Sequence, residues 1–191
     1  MNVRRAAVGL AITCFALTAA PAQGQQPSRN LFDRGATSIE FGVGLLDEAW
    51  NLNERREWLV TGSASLWWAC LDRVAVGGEF QQARVFQRTP DAFVQGFSPL
   101  VRFEVIEREA WRIFVEVGPG VSWSDLEVPP RGTRFNYLFQ GSAGLMRRIG
   151  RNASVTAAFR FLHLSNHFRE GRDRNPDLEA LGAYTGLSLS F

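Results

Sequence analysis

Cysteine and histidine are scarce in this chain of 191 residues, which has two of each. Cys14 lies in an N-terminal segment that we expect to be removed, so Cys70 is left without a partner for an internal disulfide. The formal charge is only +2, and it comes from Arg4 and Arg5, because no acidic residue precedes Asp33. A chain this close to neutrality has no basic surface for nucleic acid, and no nucleic-acid partner is expected.

The N-terminal segment has the composition of a secretory signal peptide. Basic residues precede an apolar run from Ala6 to Ala20, and Ala20-Pro21-Ala22 offers a cleavage site with small residues. The run is shorter than the roughly 20 apolar residues that a transmembrane helix needs. We predict a signal peptide over residues 1–22, with cleavage after residue 24 as the alternative, and a single domain over 23–191.

Long hydrophobic runs are absent from the rest of the chain, and alternation takes their place. Between Trp111 and Val117, apolar side chains occupy the odd positions, while Arg112 and Glu116 occupy even ones. This period of two indicates a β-strand with one apolar face. The same pattern predicts eight strands, at residues 36–46, 57–70, 73–86, 93–105, 110–122, 134–148, 153–166 and 178–191.

The connections between these strands alternate in length, which favours a membrane barrel. Short turns near residues 72, 108 and 151 alternate with longer loops at 47–56, 87–92, 123–133 and 167–177. A soluble lipocalin-like barrel is the alternative, but charged residues at mid-strand suit a polar lumen better than a dry core. Strand-end tryptophans and the terminal Phe191 also fit the membrane. We therefore predict an all-β fold, an eight-stranded antiparallel transmembrane β-barrel of the bacterial outer membrane.

The two histidines, His163 and His167, both lie at the end of the seventh strand. In that strand Phe161 belongs to the apolar outer face, and Arg160 marks the lumen. His163 and Ser165 are in phase with Phe161 and therefore point toward lipid. Polar groups facing lipid are costly unless they are paired or used, so this pair is a candidate site.

An acidic residue joins this pair from the last strand. Counting back by twos from Phe191 along the apolar face reaches Glu179, and the two strands are antiparallel neighbours. Ser165 and His163 are about 6.6 Å apart at Cα, a distance that their side chains can bridge. The arrangement predicts Ser165 as nucleophile, His163 as general base and Glu179 as orienting acid. Asp177, in phase with Glu179, is the alternative acid.

The topology suggests the substrate. With the N-terminus in the periplasm, the seventh strand runs outward, so the site faces the outer leaflet and its lipopolysaccharide. An ester hydrolase acting on lipid A, surrounded by outer-membrane lipid, follows as a hypothesis. The alternatives are a small non-enzymatic barrel with a structural or adhesin-like role, and an acyltransferase that passes the chain to another lipid.

The residues His163-Leu164-Ser165-Asn166, followed by Asn175-Pro176-Asp177-Leu178-Glu179 and an aromatic terminal strand, resemble the PagL-type lipid A 3-O-deacylases and their acyloxyacyl-hydrolase relatives. The resemblance implies metal-free removal of the 3-O-linked acyl chain of lipid A, without a cofactor. It implies the roles given above for Ser165, His163 and Glu179, and a part for Asn166 in the oxyanion hole. The sequence departs from the family at His167 and Phe168, where small residues are expected.

Arginines in the loop before Glu179 are weaker candidates for the site. We predict that Arg172 and Arg174 contribute to substrate binding by contacting lipid A phosphates, although a solvated role is the commoner one for such residues. A metal site is not expected, because His163 and His167 are four residues apart at a strand end rather than on one turn of a helix. The sequence leaves a homodimer open as an alternative to a monomer.

Overall fold

The computed structural model of the chain describes residues 33–50, 57–108 and 110–191, and the predicted signal peptide lies outside them. Within these residues, eight antiparallel strands pair in sequence order, and β8 also pairs with β1. The sheet is thus a closed barrel without an edge strand, as the sequence predicts. Its strands are β1 (Thr37–Glu48), β2 (Trp58–Leu71), β3 (Val74–Phe86), β4 (Ala92–Glu107), β5 (Trp111–Val128), β6 (Thr133–Arg148), β7 (Ala153–Ser165) and β8 (Leu178–Ser190).

The two faces of each strand differ as the alternation predicts. In β8, Leu181 and Leu187 are exposed on the outside of the barrel, whereas Tyr184 and Ser188 are buried inside it. Large apolar side chains cover the outer surface, and Phe159 on β7 is 72% exposed. Such an apolar outer band is what a barrel presents to lipid.

Charged side chains fill the middle of the barrel interior, and they pair with one another. Arg102 contacts Glu40 at 3.2 Å and Glu116 at 2.7 Å, while Arg160 contacts Glu79 at 3.0 Å and Glu116 at 3.1 Å. These side chains are at most 3% exposed. Buried charges are tolerated when they are paired and hydrogen-bonded, which explains how mid-strand Arg and Glu can face inward.

Apolar side chains close the barrel above and below this charged layer. Near the β7–β8 loop, a cluster of buried residues includes Leu46, Leu59, Leu138, Leu162 and Leu178. At the opposite end a second cluster contains Trp67, Ala75, Leu100, Phe114 and Met146. The interior is therefore packed with side chains, as expected for a barrel of this size.

The largest difference from the sequence prediction is the length of β5. We expected this strand to end at residue 122 and a loop to follow, but it extends to Val128. Side chains support the extension: the Ser124 hydroxyl donates to the backbone of Leu126 and of Arg134, and the Asn136 amide donates to the carbonyl of Val128. These bonds continue the hairpin beyond the point where the regular register shifts.

In the part of the chain that the structure describes, no helix has the length and hydropathy of a membrane-crossing helix.

Candidate active site

The end of β7 and the start of β8 form the candidate site on the outer face of the barrel. His163 and Glu179 are direct partners in the antiparallel register of these strands. His163 Nδ1 lies 3.3 Å from Glu179 Oε1, and the two side chains are 28% and 26% exposed. The register places an acid against the imidazole, at the distance of a hydrogen bond or ion pair. Over the part of the chain that the structure describes, His163 Nε2 has no hydrogen bond of its own.

Ser165 is the last residue of β7, two positions beyond His163 on the same face. Its hydroxyl donates to Asn175 Oδ1 at 3.1 Å and accepts from the backbone N–H of His167 at 3.1 Å. Among the hydrogen bonds of the described residues, none joins the Ser165 hydroxyl to His163. The three predicted residues therefore lie together, with Ser165 engaged by the loop.

Asn175 organises the loop between β7 and β8, a role that no pattern in the sequence indicates. Its Oδ1 accepts both from the Ser165 hydroxyl and from the backbone N–H of Asn166, at 3.1 and 2.8 Å. Its Nδ2 donates to Asp177 Oδ1 at 2.7 Å. Asp177 thus orients Asn175 in this structure, while Glu179 is the carboxylate at the imidazole.

The residues after Ser165 make a sharp turn. His167 and Phe168 have φ angles of 54° and 60°, a left-handed conformation that is uncommon for residues other than glycine, although asparagine, aspartate and histidine adopt it more often than the rest. Of small residues, glycine adopts it without a steric penalty, because it has no Cβ. Asn166 is 3% exposed, and its amide donates to the Arg174 carbonyl. The Asn166 side chain thus holds the loop, in addition to any part that it has in an oxyanion hole.

The two arginines predicted to bind substrate differ in their contacts. Arg174 forms ion pairs with Glu127 at 2.7 Å and Glu170 at 3.0 Å, which tie this loop to the end of the β5–β6 hairpin. Arg172 is exposed and lies in a short 3₁₀ turn over Arg172–Arg174. The guanidinium of Arg174 is therefore engaged within the protein, and that of Arg172 faces solvent.

Aromatic side chains flank the site on both sides. On β6, Tyr137 is the register partner of Ser165, and Phe139 is the partner of His163. On the other side, Trp50 packs edge-on against Phe161, with ring centroids 5.9 Å apart. The described residues contain no group of three His, Cys, Asp or Glu side chains that could hold a metal ion.

A protein-family model described as lipid A 3-O-deacylase (PagL) matches residues 38–188, which is most of the chain. The chain belongs to the PagL lipid A 3-O-deacylase family. Membership makes it an ester hydrolase and an outer-membrane barrel, and it confirms the resemblance found in the sequence. It also favours an enzyme over the non-enzymatic barrel that the sequence left open.

Solved structures agree with a PagL-like fold. The crystal structure of Neisserial surface protein A has a TM-score of 0.65 at 8% identity, covering 83% of this chain and 100% of that chain. The crystal structure of the outer membrane enzyme PagL has a TM-score of 0.54 at 16% identity, and the match covers 78% of this chain and 97% of that chain. The N-terminal barrel domain of Pseudomonas aeruginosa OprF has a TM-score of 0.53 at 12% identity, and the match covers 83% of this chain and 100% of that chain. At these identities the likeness concerns the fold alone. No curated protein matches the chain.

Proposed function

We propose that this PagL-family enzyme hydrolyses the 3-O-linked acyl ester of lipid A with Ser165 as nucleophile, His163 as general base and Glu179 as the orienting acid. The observation that carries the proposal is the cross-strand contact of 3.3 Å between His163 Nδ1 and Glu179 Oε1. Ser165 lies two residues from His163 on the same outward face. An acid, a base and a hydroxyl thereby meet at the end of the barrel where the longest described loop begins.

The reaction proceeds in two half-reactions. The Ser165 oxygen attacks the ester carbonyl as its proton passes to His163 Nε2, and the sugar hydroxyl leaves with that proton. Water then attacks the acyl-enzyme, assisted by the same imidazole, and releases the fatty acid and the free serine. Glu179 keeps the proton of neutral His163 on Nδ1 and stabilises the imidazolium that forms in each half.

Proton transfer from Ser165 requires one local change. The hydroxyl donates to Asn175 in the structure, so it must turn toward Nε2 of His163 before attack. Rotation about the Cα–Cβ bond of a serine is a change between staggered rotamers and needs no movement of the strand.

The backbone N–H of His167, at the turn after Ser165, is the donor best placed for the oxyanion. The N–H of His167 lies 3.1 Å from the Ser165 oxygen, so it is close to where the carbonyl oxygen would develop negative charge. Asn166, predicted to take part in the oxyanion hole, adjoins this N–H. Its own N–H is held by Asn175, which fixes the backbone of the turn.

The outer surface beside the site suits an acyl chain. A groove of about 1050 Å³ on the outside of the barrel is lined by small side chains that include Ala157 and Ala183, with Phe159 and Leu45 at its sides. It lies nearer the middle of the strands than His163 and Glu179. A hydrocarbon chain that extends along the strands from an ester at Ser165 would enter this groove and bury apolar surface there.

The experiment is mass spectrometry of lipid A from cells that express the native chain, Ser165→Ala or Ser154→Ala. Ser154 lies at the opposite end of β7 and serves as the matched control. We expect loss of one 3-O-linked acyl chain with the native chain and with Ser154→Ala, and intact lipid A with Ser165→Ala. Equal insertion of all three is checked by heat-modifiable gel mobility. Undiminished deacylation by Ser165→Ala would contradict the triad.

The same samples test the acyltransferase alternative, in which another lipid replaces water. Free fatty acid as the second product supports hydrolysis, whereas a new acylated phospholipid would indicate transfer. Crosslinking in the membrane tests the homodimer that the sequence leaves open.

A further inference from the structure

A cleft opens at the rim of the barrel on the β6 side of Ser165. Ser165 pairs with Tyr137, so Phe135, two residues before Tyr137, occupies the diagonal position. Side chains at such diagonal positions are about 7–8 Å apart. The cleft has a volume of about 430 Å³ and is lined by Trp123, Thr133, Phe135, Asn166, Arg169 and Glu170. It thus lies one diagonal step from the proposed nucleophile.

Arg169 is the cationic residue of this cleft. Its guanidinium carbon lies 5.7 Å from the centre of the Phe135 ring, and the residue is exposed. Over the described residues, Arg169 forms no ion pair with a carboxylate. The nearby Glu170 is used by Arg174, at 3.0 Å. The cleft therefore contains a guanidinium that lies near an aromatic ring and, among the described residues, forms no ion pair with a carboxylate.

This arrangement has the chemistry of a phosphate site. A guanidinium stacked on a ring keeps its N–H edge available, and that edge matches two oxygens of a phosphate. Lipid A carries phosphate on its sugar headgroup, and the 3-O ester is attached to the same headgroup. A headgroup phosphate held in the cleft would therefore fix the position of the sugar relative to Ser165.

We propose that Arg169 binds a headgroup phosphate of lipid A and so positions the ester at Ser165. The inference rests on the proposed function and deepens it. It differs from the sequence prediction, which chose Arg172 and Arg174. Arg174 is already paired with two carboxylates, and the described residues that line the cleft do not include Arg172.

The test compares two substrates and three variants. The substrates are purified lipid A in detergent micelles and the same lipid A after its phosphates have been removed by a phosphatase. The variants are Arg169→Gln, Arg169→Lys and Arg88→Gln, the last being an exposed arginine in the β3–β4 loop. The kinetic constants kcat and KM for release of the fatty acid are measured for each pair.

With phosphorylated lipid A, we expect Arg169→Gln to raise KM roughly tenfold or more, because it loses a charge-assisted hydrogen-bonded contact. Arg169→Lys should fall between Gln and the native residue, since the charge stays but the paired geometry does not. With the dephosphorylated substrate, Arg169→Gln and the native enzyme should have the same KM. Arg88→Gln should match the native enzyme on both substrates.

Two results would overturn the inference. An unchanged KM for Arg169→Gln on phosphorylated lipid A would show that the guanidinium does not bind substrate. An equal loss on both substrates would show that Arg169 acts by packing on Phe135 and not by recognising phosphate. A native enzyme inactive on both substrates would instead reject the proposed function, so the two failures are distinguishable.

Discussion

Replacing Glu179 with glutamine removes the charge next to His163 while keeping the size of the side chain. The carboxylate oxygen lies 3.3 Å from His163 Nδ1. In the proposed mechanism the imidazole becomes a cation as Ser165 attacks, so the carboxylate acts mainly on the transition state. An interaction made only in the transition state affects kcat and leaves KM nearly unchanged.

The size of the effect follows from the distance and the exposure. Two unit charges 3.3 Å apart interact by about 1 kcal/mol in water and by about 5 kcal/mol at an effective dielectric constant of 20. The side chains of His163 and Glu179 are 28% and 26% exposed, so the pair lies between these limits. A value of about 3 kcal/mol corresponds to roughly a hundredfold decrease in kcat.

The assay is steady-state release of fatty acid from purified lipid A, with Asp177→Asn as the matched variant. Asp177 accepts a hydrogen bond from Asn175 and was the alternative acid in the sequence. We expect Glu179→Gln to lower kcat about a hundredfold, and Asp177→Asn to have a much smaller effect. The reasoning is refuted if Asp177→Asn causes the larger loss, or if Glu179→Gln lowers kcat by less than about threefold.

Two further predictions concern the stability of the barrel. Arg160→Met removes the guanidinium that pairs with Glu79 and Glu116, and it should lower the free energy of unfolding in urea by about 3–5 kcal/mol. The control, Arg151→Met, lies at an exposed turn and should change this free energy by less than about 0.5 kcal/mol. Equal stability of the two variants would contradict a stabilising role for the charged layer. Gly42→Ala would bring a methyl group into the Tyr184 hydroxyl and should cost about 1–3 kcal/mol, while Gly62→Ala meets open space. If both alanine variants unfold at the same urea concentration, the predicted clash between residue 42 and the Tyr184 hydroxyl is wrong.

Much of the fold could be predicted because each strand carries its own pattern. The alternation around Trp111 depends only on neighbouring residues, and so does the phase that puts His163 and Glu179 on the outer face. The end of β5 was not predictable in the same way. Its last residues are supported by Ser124, which lies in the predicted loop, and by Asn136, which lies in the next predicted strand, so the support comes from a contact between two segments and not from a local pattern.

In the candidate site, too, some residues follow from local periodicity and others depend on the tertiary structure. His163, Ser165 and Glu179 could be selected because their polarity conflicts with an apolar face. Asn175 could not, since its bonds to Ser165 and Asn166 depend on the path of the loop rather than on any periodicity. Their catalytic roles stay predictions until the variants are measured.

The sequence by itself determined the number of strands, the face of the side chains within the predicted strands, and the family, because local periodicity and a short motif are enough for these. Only the tertiary structure decided which distant charges meet. Glu40 pairs with Arg102, 62 residues away, and Glu127 pairs with Arg174, 47 residues away. The physical reason is closure: the partners of a charge depend on the register of strands around the whole barrel, and no local pattern carries that information.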